Sequence, residues 1–299
     1  MKGPRWGYAL ASLNMLISGV AIYVNSLGVK LFADSTLYTG LKNAVVGAVL
    51  LVPLAFSGQQ RSRFTRLTAP QWLLLGLVAL IGGSVPYALY FRGLQLSTPV
   101  TASLIDHTQF LFVAVFAAIF LGERFGAGVW AALVTLLVGL SIGISVSAVR
   151  LDGGALFIAA ATILFAADFA LMKYLLTWIA PLTVMTFKMS LGSLLLLAFV
   201  AATGHLGSIA ALSALQWEFL LVTALILLAF TATSVLGLRF ASATAVTAIP
   251  AGAPIVTTAL VFFTRGTAVA PLRALGLCIA LLAVLAVIVL GARRERRAP

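Results

Sequence analysis

The chain has 299 residues, 62% of them hydrophobic and only 9% charged, and its mean hydropathy is +1.15. That composition excludes a soluble globular domain, and a single cysteine, Cys278, excludes an internal disulfide or a cysteine-rich metal cluster. A net charge of +12 would suit a nucleic-acid binder, but the basic residues are dispersed between apolar runs, so no nucleic-acid partner is expected.

About 20 apolar residues at 1.5 Å each cross a hydrocarbon core of about 30 Å. Runs of that kind recur ten times, at 7–29, 36–56, 71–91, 97–121, 126–147, 153–176, 181–203, 214–237, 242–264 and 270–291. The links are short, which leaves no room for an extramembrane domain. The longest, 57–70, carries Arg61, Arg63 and Arg66 and reads as a solvated loop. The basic start of the first run resembles a signal peptide, but no small-x-small cleavage site follows it and nine more runs do, so it is expected to be retained. With the N-terminus inside, twelve cations (Lys2, Arg5, Arg61, Arg63, Arg66, Arg124, Lys173, Arg239, Arg293, Arg294, Arg296, Arg297) fall inside. Five (Lys30, Arg92, Arg150, Arg265, Arg273) fall outside. This positive-inside bias predicts a multi-pass protein of the plasma (inner) membrane with both termini cytoplasmic, the arginines of 293–297 serving as a lipid-headgroup anchor.

The ten runs divide into two sets of five. At an offset of 144, GLQLSTPVTASLI (93–105) falls on GLRFASATAVTAI (237–249) and Gly122 on Gly266. At an offset of 146, Gly7, Ala9 and Leu10 meet Gly153, Ala155 and Leu156, and Lys42 meets Lys188. A two-residue deletion between the second and third helices of the repeat reconciles the offsets. The expected architecture is therefore all-α and integral to the membrane, ten transmembrane helices as two five-helix repeats, 1–148 and 149–299. Five crossings being odd, the second repeat must be inverted, which gives a transporter two related states for alternating access.

The small-residue entry to the fourth helix (97–103), its LGER end at Leu121 to Arg124 and a glycine-bearing fifth helix resemble the drug/metabolite transporter superfamily, specifically its EamA-like members. The resemblance implies a secondary transporter, commonly an exporter of amino acids and other small metabolites. Two departures stand out: Arg265-Gly266-Thr267 replaces an LGE in the second half, and Lys42 and Lys188 stand where the family often carries arginine.

Intramembrane polar residues are costly unless they face protein or water, and so mark candidate sites. Counted at 1.5 Å per residue, Lys42 and Asp106 lie about 9 and 13 Å below the outer surface, Asp168 and Lys188 about 8 and 10 Å above the inner one. This sorts them into two acid–lysine sets, one per leaflet, able to pair internally or to hold a zwitterionic ligand. Lysine snorkelling to an interface is the alternative. Asp106 and His107, beside Gln109, are candidate protonation sites, the alternative for His107 being a packing residue that bonds a neighbour. Pro250 and Pro254 flank Gly252 and free the carbonyls of Val246 and Pro250, which predicts a helix break facing the middle of helix 4. Asn14, Ser18, Tyr87 and Tyr90 complete the candidate lining. Gly139 and Gly143 are spaced for close helix contact, either as scaffold or as the face of a homodimer.

No phosphate-binding glycine loop, zinc-ligand spacing or nucleophilic triad is present, so neither a catalytic residue nor a cofactor nor a metal is expected. The reading that follows is a secondary transporter, an exporter of small polar or amphipathic metabolites (amino acids and their derivatives first), working by alternating access with proton coupling. The alternative is a non-transporting membrane receptor or a lipid-acting membrane enzyme.

Overall fold

A computed structural model describes residues 3–28, 31–32, 34–144, 152–266 and 268–295. The boundary at 148/149, Lys2, Lys30, Arg150, Thr267, Arg296 and Arg297 lie outside the described residues. Among those described, nine segments are helices long and apolar enough to span a membrane, and a tenth, Ala127–Gly143, is shorter.

The first unit comprises α1 (Pro4–Gly28), α2 (Ser35–Phe56), α3 (Gly58–Thr65), α4 (Ala69–Gly83), α5 (Val85–Leu96), α6 (Pro99–His107), α7 (Gln109–Phe120) and α8 (Ala127–Ile144). The second comprises α9 (Gly153–Leu175), α10 (Pro181–Ala202), α11 (Ala214–Phe240), α12 (Ala243–Ala248), α13 (Ala253–Arg265) and α14 (Pro271–Glu295). Here α4–α5 form one span, as do α6–α7 and α12–α13. The 57–70 link is not simply a solvated loop. Its central residues form the short helix α3, and Phe64 on it packs edge-on to Trp72 at 4.9 Å between centroids.

Helix starts reproduce both offsets. Ser35 and Pro181 open α2 and α10, 146 apart, while Pro99 and Ala243, Gln109 and Ala253, and Ala127 and Pro271 are each 144 apart. Even the caps correspond: Thr98 accepts a hydrogen bond from the N–H of Thr101, and Ser242 accepts one from that of Ala245.

The equivalent helices α2 and α10 pack against each other, as do α8 and α14. Gly40 lies against Leu197 and Gly47 against Ser190, while the Thr186 hydroxyl donates to the carbonyl of Leu50 at 3.2 Å. Numbers rise on α2 as they fall on α10, so these equivalents run antiparallel. The same holds where Gly128 faces Leu290 and Gly143 faces Leu277. Equivalent helices of opposite direction are the signature of an inverted repeat. Further close packings, α1 on α11 and α5 on α9 among them, also join the two units. Glycines permit this: a side chain at Gly139 would strike the backbone of Gly276 and Ala280. Gly139 and Gly143 are therefore used as scaffold within the chain and offer no dimer face.

Among the described residues three spans are broken. In the third, Pro86 leaves the Gly82 carbonyl without its helical donor, and the Ser84 hydroxyl turns back to the carbonyls of Ala79 and Leu80, at 3.2 and 3.1 Å. In the fourth, the Thr108 hydroxyl donates to Ile105 O at 2.6 Å and the helix restarts at Gln109. In the ninth, a single 3-10 turn, Pro250–Gly252, separates α12 from α13. The sequence predicts only the last of these. Thr108 and Gly252 are 144 apart, so the fourth and ninth spans break at equivalent places.

Candidate functional site

The two equivalent breaks meet a cavity of about 200 Å³. Asn14, Ser18, Asp106, His107, Gln109 and Pro250 all line it, so the structure gathers half of the expected site residues in one place. Pro254 lies just past the lining residue Ala253. Tyr87 and Tyr90 stand back from the wall, the ring of Tyr87 edge-on to Phe165 at 5.0 Å. Both remain within electrostatic reach of Asp106.

Each polar side chain has a distinct task. Asn14 Nδ2 donates to Phe230 O, Thr233 Oγ1 and Ser234 Oγ at 2.7–2.9 Å, which fastens α1 to α11. The Ser18 hydroxyl reaches Asn14 Oδ1 at 3.4 Å. His107 Nδ1 bonds the Ser103 carbonyl one turn earlier. A carbonyl only accepts, so that nitrogen carries a proton. Asp106 forms no ion pair or hydrogen bond among the described residues and lines the cavity as a bare carboxylate.

Of the two acid–lysine sets, one is paired and the other is not. Lys188 and Asp168 form a buried ion pair, Asp168 fully enclosed and resting against Gly82. The pair backs the cavity without opening into it: Lys188 Nζ lies over the ring of Phe169, at 5.6 Å from the centroid, and Phe169 is the lining residue. Lys42 does not join Asp106. It lines an adjoining cavity of about 220 Å³ with Asn25 and Thr223, its ammonium 4.7 Å above the ring of Tyr38. Tyr38 is fixed by hydrogen bonds to Asn25 Oδ1 and Thr223 Oγ1, at 2.8 and 2.7 Å. Ser18, Ile22 and Phe230 line both cavities. The expected outer-leaflet pair is thus absent, because the two groups occupy neighbouring chambers.

Sequence reasoning missed Ile22, Phe169, Phe230 and Thr247 of the lining. A phenylalanine in an apolar helix carries no signal. Thr247, the 144-offset equivalent of Ser103, could have been found by carrying polar positions from one half to the other.

A larger cavity of about 570 Å³ lies at the LGER turn. Glu123 Oε1 accepts from the Ala243 N–H at 2.8 Å and Oε2 from the Thr244 hydroxyl at 3.4 Å, capping α12 across the unit boundary. Burial raises the carboxyl of Glu123 above the ordinary glutamate range, against the opposing pull of the Ala243 N–H and the Lys173 ammonium. Lys173 Nζ closes the facing helix end, donating to Leu238 O and Ala241 O at 2.7 Å.

The profile of the "EamA-like transporter family" matches residues 5–144. That first unit is thus similar to the EamA-like transporter family. That family is one of transporters. An "Uncharacterized transporter in cobO 3'region" of Sinorhizobium sp. is 28% identical over 97 residues, 32% of this chain and 67% of that protein. A solved crystal structure superposes with a TM-score of 0.74 at 18% identity, over 96% of this chain and 98% of that one, which shows a shared fold.

Proposed function

We propose that this EamA-like protein is a secondary transporter that exports small polar or amphipathic metabolites, amino acids and their derivatives first, by alternating access with proton coupling. The observation that carries the reading is Asp106, a bare carboxylate in a chamber built by both units where two helices break. Charged groups inside a membrane are retained at ion and substrate paths, and a carboxylate that binds either a proton or a cationic group couples the two by competition. Unwound backbone at membrane depth is tolerated where it faces protein or a wet cavity, and midplane sites of transporters are made this way. Cytoplasmic termini in the inner membrane are supported by Arg124, Lys173 and Arg239, which crowd one end of the bundle near the LGER turn. The two five-helix units, divided near 148/149, would then supply the inward- and outward-open states.

The test is flux in proteoliposomes with and without a pH gradient. Asp106→Asn keeps shape and removes the titrating charge, so uptake should persist weakly and lose its acceleration by the gradient. Unchanged flux and an unchanged gradient response in that variant would reject Asp106 as the coupling group.

A further inference from the structure

The two units differ at one place where their chemistry should match. In the second unit, Asp168 rests on Gly82 and pairs with Lys188. The repeat offsets carry Lys188 to Lys42, Asp168 to Ile22 and Gly82 to Ile226. Those three residues do come together, all lining the 220 Å³ cavity. The lysine is kept, but the carboxylate is replaced by isoleucine and the glycine that made room for it is filled. Among the described residues no other acid substitutes. The chain has seven acidic residues. Asp34 caps α2 and meets His205, Asp152 caps α9, Glu123 caps α12 and Asp168 holds Lys188. Glu218 is exposed on the first turns of α11 and Glu295 ends α14. Asp106 lines the next chamber. Lys42 therefore keeps a cation, in contact with the Tyr38 ring, without the anion that its equivalent has.

We propose that Lys42 is the anion-binding end of the transport site and takes a carboxylate of the solute. This rests on the transporter reading above and deepens it. The cation–π contact with Tyr38 orients the ammonium but neutralises none of its charge, and an uncompensated charge away from water is stabilised by an incoming counter-ion. The amide of Asn25 and the hydroxyl of Thr223 line the same chamber. Asp106 stands beyond the shared wall of Ser18, Ile22 and Phe230. A solute spanning both chambers would place its carboxylate at Lys42 and its ammonium toward Asp106, with its apolar part against Ile22 and Phe230. In the second unit Asp168 occupies the equivalent seat permanently, which explains why only one end of the pseudo-symmetric chamber is open to ligand.

The probes are leucine, 4-methylpentanoate (carboxylate without amine), leucinamide and isoamylamine (no carboxylate), read as thermal stabilisation of the purified protein. Wild type should respond to the first two at concentrations at least tenfold below those needed for the last two. Lys42→Met should abolish that preference. Ile22→Asp should do the same by restoring the internal pair of the second unit. The polar but uncharged Ile22→Asn should weaken the response to all four probes by loss of the apolar contact yet keep the preference, which separates the charge effect from the contact effect and from misfolding. Equal responses to leucine and leucinamide, no response to either carboxylate, or a preference that survives in both charge variants would overturn the proposal. A preference that needs Lys42 in a protein with no leucine flux would instead leave the anion site standing and fail the amino-acid transport reading. Flux that is full in Lys42→Met would do the reverse.

Discussion

Asp168 is fully buried and its Oδ1 accepts no hydrogen bond, so the Lys188 ammonium is its main compensation. Removing one partner of such a pair leaves the other charge stranded, at a cost of about 3–5 kcal/mol, whereas removing both can be nearly neutral. Asp168→Asn and Lys188→Met should each lower thermal stability sharply, and the double variant should recover part of it. Additive losses in that cycle would show that the two charges do not interact. Their meeting was legible from matching depth on consecutive antiparallel helices. The separation of Lys42 from Asp106 was not, because depth says nothing about which wall a side chain faces. Glu123 allows a second test at this scale, since it lies outside the spans. An acid whose folded value is raised binds more protons when folded, so its contribution is full below the unfolded value and is lost as pH rises through the folded one. The stability of wild type relative to Glu123→Gln, whose amide oxygen can still accept from Ala243, should therefore fall as pH rises out of the ordinary glutamate range. A difference flat in pH would show that this carboxyl does not titrate in the fold.

At the scale of elements, the spans were readable because apolar length is a strong signal, and their breaks were not all readable. Pro250 and Pro254 announce the interruption of the ninth span. In the fourth span the same interruption falls at Thr108, where the hydroxyl competes for a backbone carbonyl, and a lone threonine in a helix is too common to mark it. The chamber's aromatic wall was hidden for a similar reason, Phe169 and Phe230 being ordinary members of apolar runs. The α8–α14 contact was half legible: the spacing of Gly139 and Gly143 predicted a close neighbour but could not name it. That neighbour is α14, with Gly276 against the backbone of Gly139 and Gly143. Gly276→Leu should force the helices apart and destabilise the protein by about 1–3 kcal/mol, seen as a lower melting temperature. Gly58→Leu, at a position with no atom near the added carbon, should leave it unchanged.

For the whole molecule, the inverted architecture followed from counting to five and then from two numerical offsets, and the helix starts repeat those offsets. Orientation is the piece the positive-inside bias alone supplies. In a background with the exposed Cys278 replaced by alanine, a cysteine at Ser62 on α3 should react with an impermeant maleimide only in inverted vesicles. Reaction in intact cells would turn the protein over. The closest packings join the units, α2 with α10 and α8 with α14, and this bears on how the chain comes into being. Synthesis delivers about 5–20 residues per second, so Gly139 enters the bilayer on the order of ten seconds before Gly276 exists. During that interval the bare glycine ridge of α8 and the buried amide of Asn43 have lipid or insertion machinery for neighbours. The first unit is thus a passenger waiting for its seat. A ribosome that stalls after residue 144 would release a membrane-inserted orphan with its adhesive surfaces uncovered, the kind of species that membrane proteases are built to find.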